Sequence, residues 1–337
     1  MKNCAERKEE INIADFPIAG ANVRVAYGWE ETAFTTVSAS IDKAFSQGVK
    51  LSDFSIDNSV EYVYGLGSQD AQKSVCKEFK GAWGVEFALS DPWWLQAILG
   101  AAPADAGATP FTHTYDSTAG LNNVLSSMSI DLSFDLDTDS HQILLGCIAN
   151  TMSLTCNVGE IVRVKLGGPF ATMTKDTSMI SLVNPVEEPF SFAAGSLEIP
   201  NATTIADVQT VELEFNRNDD FIWGLGSRLA QKNVAKEREW NIRTTVTYED
   251  DDIWNALLGG SGAPAAAPAE VATAELTISN GLTSSDMRKF VFLFANVRVE
   301  RGSITPVEVG SVVKQDITLR ARTLTSVVVS NATETAL

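Results

Sequence analysis

Few residues of this sequence have the type and spacing that catalysis or metal binding requires. The two histidines, His113 and His141, lie away from any cysteine pattern that would complete a zinc site. No GxSxG motif is present to position a nucleophilic serine. The chain has no CxxC pair and is too large to need disulfides, so its four cysteines are expected to be free thiols in a reducing compartment: Cys4, Cys76, Cys147 and Cys156.

Two acidic stretches have part of a cation-binding pattern, and neither pattern is complete. The run DLDTDS at 135–140 begins like a calcium loop, but its sixth position is Ser140 instead of glycine and its twelfth is Gly146 instead of glutamate. The run EDDD at 249–252 precedes a helical pattern, where carboxylates stabilise the positive end of the helix dipole. We therefore predict that the protein is not an enzyme and has no metal or cofactor site.

One glycine-containing phrase occurs twice, as YVYGLGSQDAQKSVCKE at 62–78 and as FIWGLGSRLAQKNVAKE at 221–237. The GLGS stretch could bind a phosphate, but it lacks the third glycine of a dinucleotide fingerprint and the Gly-Lys-Ser/Thr of a P-loop. A tight turn that closes a hairpin explains the glycines. It does not explain why Ala-Gln-Lys recurs, or why the segment is as long as functional loops often are.

The repeat continues beyond this phrase at a constant offset of 159 positions. A solenoid repeat spans about 20–50 residues, so an offset this long is typical of a duplicated domain. We predict an N-terminal arm at 1–19, a first β domain at 20–178 and a second at 179–337. Outside the phrase, Asp91, Ala97, Leu99 and Gly100 match Asp250, Ala256, Leu258 and Gly259.

The two halves have the same predicted order of elements. VQTVELEF at 208–215 alternates apolar and polar residues like a half-buried strand, and WNIRTTVTY at 240–248 is a second strand. A short amphipathic helix ends at Gly259, and SDPWWLQAILG is its counterpart in the first half. MSIDLSFDL at 128–136 predicts another alternating strand with its acids pointing outward. The predicted fold class is mainly β: two tandem antiparallel β-sandwiches or barrels, each with a short flanking helix and a long hairpin loop.

Charge is distributed unevenly along the chain. The formal net charge is −18, yet 62–80 and 221–239 carry net charges of +1 and +2. Positive loops on an acidic body favour docking onto another copy, because complementary charge fixes register and partner choice. Solvated loops that simply accumulate lysine are the alternative. The candidate docking residues are Gly65, Leu66, Gly67, Ser68, Lys73, Lys77, Gly224, Leu225, Gly226, Ser227, Arg228, Lys232 and Lys236.

Composition narrows the class of protein further. Its 337 residues, with 45% hydrophobic and 20% charged, suit two globular domains. A chain this acidic repels a phosphate backbone, which argues against nucleic-acid binding through a basic face. The N-terminus lacks the apolar core of a signal peptide, and no run approaches the ~20 apolar residues of a membrane span. We expect a soluble protein made in a cytoplasm.

The residues around the second copy of the phrase resemble a known family. FSFAAGSLEIPNATTIADVQT followed by VELEFNRNDDFIWGLGSRLAQKNVAKEREWNIRTTVTYED is similar to tail tube proteins of long-tailed phages and tailed archaeal viruses. The similarity is strongest over 190–260 and is echoed over 47–100. The ending VEVGSVVKQDITLRART resembles the closing strands of that family.

The resemblance implies a structural virion protein that self-assembles into stacked rings and forms the hollow tail tube that conducts the viral genome. With two tube domains in one chain, three copies would form a pseudo-six-fold ring. The implied partners are other copies and other tail proteins, in a virion tail assembled in the host cytoplasm, with DNA passing through without specific binding. Alternatives are another tail component, such as a distal or terminator ring, and a surface β-sandwich adhesin. The candidate acidic lining of the bore is Asp131, Asp135, Asp137, Glu212 and Glu214.

Overall fold

The computed structural model describes residues 23–30, 33–116, 127–134, 140–176, 182–183, 187–199, 204–205, 207–248, 251–259, 264, 270–305, 309–310 and 312–332. These residues form a mainly antiparallel β fold, as predicted. The strands that precede residue 178 are β1 Val23–Trp29, β2 Gln47–Asp57, β3 Val60–Tyr64, β4 Ala71–Cys76, β5 Lys80–Ala88, β6 Ala104–Ala106, β7 Phe111–Asp116, β8 Met128–Phe134, β9 Ser140–Cys147, β10 Thr151–Asn157, β11 Arg163–Phe170 and β12 Thr172–Asp176.

The second half contributes longer strands near its end. They are β13 Gly195–Glu198, β14 Val208–Asn216, β15 Asp220–Trp223, β16 Ala230–Val234, β17 Glu239–Thr247, β18 Val271–Ser279, β19 Lys289–Ile304 and β20 Lys314–Asn331. The helices are α1 Leu95–Leu99 and α2 Asp252–Leu258, with short 3₁₀ turns at Phe192–Ala194 and Ser284–Asp286.

Most strands join one large sheet that takes members from both halves. Its order is β13-β18-β19-β20-β17-β14-β10-β11-β5-β2, with β7 paired to β20 and β6 paired to β7. A smaller sheet has the order β1-β8-β9-β12. The hairpins β3–β4 and β15–β16 are separate two-stranded sheets, and each contains one copy of the repeated phrase.

The sequence offset reappears as a shared strand register over residues 53–57 and 212–216. β2 pairs with β5 so that Phe54 lies opposite Trp83, and β14 pairs with β17 so that Leu213 lies opposite Ile242. Both members of the second pair are 159 positions after those of the first. The duplicated segments therefore build the same two-stranded unit.

Apolar side chains from both halves pack into one buried cluster. Trp240 lies between Phe215 and Phe294, with ring centroids 4.2 Å and 6.0 Å away. The polypeptide near residue 178 lies outside the described residues, so the division at 178 stays a prediction.

Both predicted helices are confirmed, and each ends at the glycine named from sequence. Gly100 has φ 83° and Gly259 has φ 75°, in the left-handed region that costs glycine nothing. The acidic residues before α2 were expected to stabilise its start. Asp251 makes no side-chain capping bond to the helix and instead accepts a hydrogen bond from the Tyr248 hydroxyl.

The prediction that β8 has one solvated face is wrong. Alternate residues of this strand are apolar and polar, yet both faces are buried. The segment after β1 covers the polar face: the backbone of Ser38 donates to Ser129 Oγ at 3.1 Å, and Ser129 Oγ donates to Glu30 at 3.1 Å. Alternation distinguished the two faces but did not reveal that the second face was also covered.

Candidate assembly surfaces

The GLGS residues form the same tight turn at the tip of each hairpin. The Ser68 amide donates to the Gly65 carbonyl at 3.3 Å, and the Ser227 amide donates to the Gly224 carbonyl at 3.4 Å. The third residue of each turn, Gly67 or Gly226, has φ of 84° or 92°. A turn with positive φ at this position favours glycine, which explains the motif without a phosphate. The interpretation as a turn that closes a hairpin is confirmed.

Each turn presents one leucine entirely to solvent. The relative exposures of Leu66 and Leu225 are 108% and 110%, more than any other large hydrophobic side chain except Val309 among those described. A leucine at a hairpin tip loses the free energy of burial, about 1.5–3 kcal/mol, unless another molecule covers it. Both tips therefore present an uncovered apolar side chain to solvent.

The second hairpin is anchored on the first half of the same chain through Arg228. Its Nε donates to the Lys77 carbonyl at 2.8 Å, and its Nη2 donates to Asn58 Oδ1 at 3.0 Å. The Phe79 amide donates to the Arg228 carbonyl at 2.9 Å. The tip of the second hairpin thus lies against the base of the first.

An apolar cluster also holds the second hairpin in place. Phe221 and Ala230 are buried together with Ile148 and Ala171 of the first half, and Phe34 packs beside them. The Phe34 and Phe221 ring centroids are 5.8 Å apart. The hairpin is consequently part of the contact between the two halves.

The first hairpin has no comparable anchor among the described residues. Every residue of β3 and β4 is exposed. Tyr62 and Ala71 are the sequence equivalents of the buried Phe221 and Ala230, and both lie in solvent. The repeated phrase thus forms one docked hairpin and one free hairpin.

The lysines of the hairpins are partly neutralised within each hairpin. Lys77 pairs with Glu61 at 2.5 Å, and Lys236 pairs with Asp220 at 3.1 Å. The hydrogen bond that Lys77 donates to Glu61 raises the pKa of Lys77, and the one that Lys236 donates to Asp220 lowers the pKa of Asp220. Lys73 and Lys232 are exposed on β4 and β16.

Among the acidic candidates, Asp131 does not point outward, which corrects the sequence expectation. It is 2% exposed, and its Oδ1 accepts a hydrogen bond from Ser133 Oγ at 3.0 Å. Burial raises its pKa. Asp131 therefore cannot line a bore. Asp135 and Asp137 lie outside the described residues, as does the rest of the calcium-like run before Ser140.

Glu212 and Glu214 are on the open face of the large sheet, and both are beside Arg243. Its Nη1 lies 2.8 Å from Glu214 and 3.8 Å from Glu212. The same face carries the pairs Glu86–Arg163 at 3.3 Å and Glu239–Arg320 at 2.8 Å. Acids on this face are thus accompanied by arginines, so its charge is mixed and not uniformly negative.

A family comparison agrees with this architecture. The family model described as phage tail tube protein matches residues 20–321. The chain belongs to the phage tail tube protein family. It is therefore a structural protein of the virion tail, and the match includes both hairpins. A comparison with curated proteins finds no match.

The small sheet contains a buried Ser-His-Asp cluster. Ser133 Oγ lies 2.8 Å from His141 Nδ1, and Asp131 Oδ1 lies 3.4 Å from the same nitrogen. Because the serine donates to Asp131, it accepts from the histidine, the opposite of an activated nucleophile. All three side chains are buried. Ser133 and Asp131 lie on β8 and His141 lies on β9, so the cluster joins two neighbouring strands of the small sheet.

Sequence reasoning missed a buried ion pair at the contact between the halves. Arg217 Nε lies 3.4 Å from Asp219, and both side chains are almost fully buried. Arg217 Nη1 also donates to the carbonyls of Ala97 and Ile98 in α1, at 3.3 Å and 3.1 Å. Burial lowers the pKa of Arg217 to about 10 and raises that of Asp219 to about 6. The available signal was a charged pair that directly follows a strand.

The described residues contain no helix long and apolar enough to cross a membrane. They also contain no cluster of histidine, cysteine, aspartate and glutamate that could bind a metal ion.

Proposed function

We propose that this protein self-assembles into rings that stack into the hollow tail tube through which the viral genome is delivered. Three copies, each with two tube-like domains, form one pseudo-six-fold ring. Its partners are other copies of itself and other tail proteins, and assembly takes place in the host cytoplasm before the tail joins the virion.

The observation that carries this proposal is the difference between the two hairpins. One is docked on the preceding half of its own chain through Arg228 and Phe221, whereas the other extends with Leu66 and Tyr62 in solvent. Because the free hairpin β3–β4 finds no docking surface among the described residues of its own chain, we expect it to dock on a second copy. Because the contact joins different surfaces, repetition forms a closed ring or an open filament.

We further propose that genomic DNA slides through the bore without specific binding. The net charge of −18 supports this, since like charge keeps phosphates away from a wall. Glu212 and Glu214 remain candidates for that wall. Their pairing with Arg243 means that the local repulsion is weaker than two unpaired carboxylates would give.

Electron microscopy of the purified protein at high concentration tests the proposal. Hollow tubes or stacked rings, with end-on symmetry and a ring mass of three chains, would support it. A ring mass of six chains would contradict the trimer. Single rings that never stack would favour a distal or terminator ring. Monomers alone, across a range of salt and divalent-ion concentrations and with tail-initiator proteins added, would contradict self-assembly.

A further inference from the structure

The two halves of the chain meet through one strand pair in the large sheet. β14 of the second half pairs antiparallel with β10 of the first, and the partners are Thr151 with Asn216, Met152 with Phe215, Ser153 with Glu214 and Leu154 with Leu213. Met152, Phe215, Leu154 and Leu213 are all buried. This strand pair is an interface between two copies of one fold, since the halves are duplicates.

Each half contributes an equivalent four-stranded unit to this sheet. The first unit has the order β10-β11-β5-β2, and the second has the order β19-β20-β17-β14. β10 pairs with β11 as the end of β19 pairs with the start of β20: Ser153 opposite Lys165 corresponds to Ser303 opposite Asp316. The last strands correspond as well, because β2 pairs with β5 in the register of β14 with β17.

Among the strand edges of the described chain that have no neighbouring strand, two are the equivalents of the edges that meet between the halves. β2 ends the strand order, with only β5 beside it. β18 pairs with β19 only as far as Val297. Within the described chain, the segment 301–304 of β19 is therefore paired on one side only, with β20. Ile56 and Ile304, which correspond to the buried Phe215 and Leu154, are 41% and 45% exposed. Unpaired edges with apolar side chains readily accept another strand.

We propose that β2 of one copy pairs antiparallel with residues 301–304 of β19 of a second copy, in the register of the β10–β14 pair. Asp57 then lies opposite Arg301, Ile56 opposite Gly302, Ser55 opposite Ser303 and Phe54 opposite Ile304. This inference rests on the proposed self-assembly and specifies its interface. The large sheet continues from chain to chain until the ring closes.

The side chains at the proposed junction are complementary. Ile56 and Ile304 lie on the face that is buried in the β10–β14 pair, so both lose their exposure to water. Asp57 and Arg301 lie on the opposite face, where a pair of opposite charges across antiparallel strands is stabilising. Gly302, the equivalent of Met152, lies against Leu257 and Trp254 of α2. Ile56 lies opposite Gly302 in this register, as Phe215 lies opposite Met152 in the pair between the halves.

The same register also places the free hairpin β3–β4 against a surface of the second copy. Phe221 and Ala230 cluster with Ile148 and Ala171, so their equivalents Tyr62 and Ala71 fall beside the equivalents of the latter two. By strand register these are Arg298 and Arg322, which are exposed and flank Glu270 at 3.1 Å and 3.3 Å. An arginine over a tyrosine ring is a favourable cation–π contact. The hairpin therefore meets a chemically suitable surface on the second copy.

Cysteine cross-linking tests the register. Ser55→Cys and Ser303→Cys are introduced together in a chain in which Cys4 and the exposed Cys76 have been changed to serine. Directly opposed residues have Cβ atoms about 4.5–5.5 Å apart, within reach of a disulfide after small adjustment. Under mild oxidation we expect loss of the monomer band and a ladder that ends at three times the 36.2 kDa chain mass. Ser52→Cys with Ser303→Cys is the matched control, displaced by three residues along the same strand, and should remain monomeric on a denaturing gel.

A charge exchange provides an independent readout. Asp57→Lys alone and Arg301→Glu alone should each reduce the assembled fraction, whereas the double variant, in which every junction is again complementary, should restore it. Asp57→Asn keeps the oxygen that accepts the Ser59 amide at 2.7 Å, so it separates the charge from the local turn.

The outcomes distinguish the register from the proposed function. Tubes seen by microscopy without the Ser55–Ser303 cross-link, or with equal cross-linking of the Ser52 control, would overturn the strand pairing and leave the tube intact. Cross-linked trimers that never stack would support the pairing and contradict the tube. If neither tubes nor the Ser55–Ser303 cross-link formed, both the strand pairing and the proposed tube would be contradicted.

Discussion

Arg228, at the tip of the second hairpin, donates from Nε to the carbonyl of Lys77, at the base of the first hairpin, over 2.8 Å. These two residues belong to the two copies of one repeated phrase, 151 positions apart in the chain. The bond shows what the phrase does in the folded protein: the tip of one copy lies against the base of the other. It also reveals an asymmetry, because the tip of the first copy has no such receptor among the described residues.

We expect Arg228→Ala to loosen the second hairpin without unfolding the protein. Three hydrogen bonds from the guanidinium to Lys77 and Asn58 are lost, while the Phe221 cluster remains. Hydrogen exchange at 220–234 should accelerate. Lys232→Ala, at an exposed position of the same hairpin, is the control. Equal protection in both variants would mean that Arg228 does not hold the hairpin.

The leucines at the hairpin tips should matter for assembly and not for folding. Because Leu66 and Leu225 are fully exposed, Leu66→Asp and Leu225→Asp should change the free energy of unfolding by no more than about 0.5 kcal/mol. Sedimentation should show loss of the assembled fraction in each variant. Leu282→Asp, at an exposed leucine outside the hairpins, should assemble normally. Normal assembly of the tip variants would remove the tips from the interface.

Removing Arg217 should destabilise the contact between the halves strongly. Arg217→Met leaves Asp219 buried without its partner and removes the donor to the last carbonyls of α1, which by comparison with other buried pairs costs about 3–5 kcal/mol. Chemical denaturation measures this loss. Adding Asp219→Asn removes the isolated charge, so the double variant should recover part of the stability. A double variant as unstable as the single one would show that the charge is not the cause.

Asp91 should make the protein less stable as the pH rises. Burial raises its pKa to about 6, and the nearby Glu187 adds to the shift, while a bond from Ser90 and the charge of Arg288 oppose it. The folded state therefore retains a proton that the unfolded state releases near pH 4, so stability falls between about pH 4 and pH 6.

Asp91→Asn keeps an oxygen that can accept from Ser90, which donates to Asp91 at 2.9 Å. We expect this variant to be more stable than the parent by about 1–3 kcal/mol at pH 7 and equal to it at pH 3. Thermal denaturation across this pH range is the measurement. A constant difference between the two proteins at all pH values would contradict the titration of Asp91.

Positive charge on the open sheet face should impede DNA if that face lines the bore. Glu212→Lys with Glu214→Lys adds two cations beside Arg243 and should slow genome ejection from virions that carry the variant. Glu214→Gln separates the loss of the ion pair from the added charge. Glu188→Lys, at a largely exposed side chain that does not contact Arg243, is the control. Unchanged ejection would exclude this face as the wall.

Several elements could be predicted because their signals are local. β14 and β17 alternate apolar and polar residues, and the structure buries the apolar set of each. α1 and α2 end at glycines whose left-handed φ angles disfavour other residues. The GLGS turn follows from the same backbone requirement. None of these features depends on which distant segment packs nearby.

Other features depend on distant segments, and sequence patterns did not reveal them. Asp131 occupies an outward position by alternation, but the segment that contains Ser38 covers that face of β8. The ion pair of Arg217 and Asp219 is buried because α1, from the other half, lies over it.

The sequence by itself determined the repeat, the alternating strands, the glycine turns and the acidic balance, because each depends on neighbouring residues and their backbone preferences. Only the tertiary structure decided that β14 pairs with β10 and that one hairpin is docked while its duplicate is free. It also decided that the edges of β2 and of residues 301–304 have no neighbouring strand among the described residues. Strand pairing depends on the total burial and hydrogen bonding of the folded chain, so two similar segments acquire different environments when different surfaces lie beside them.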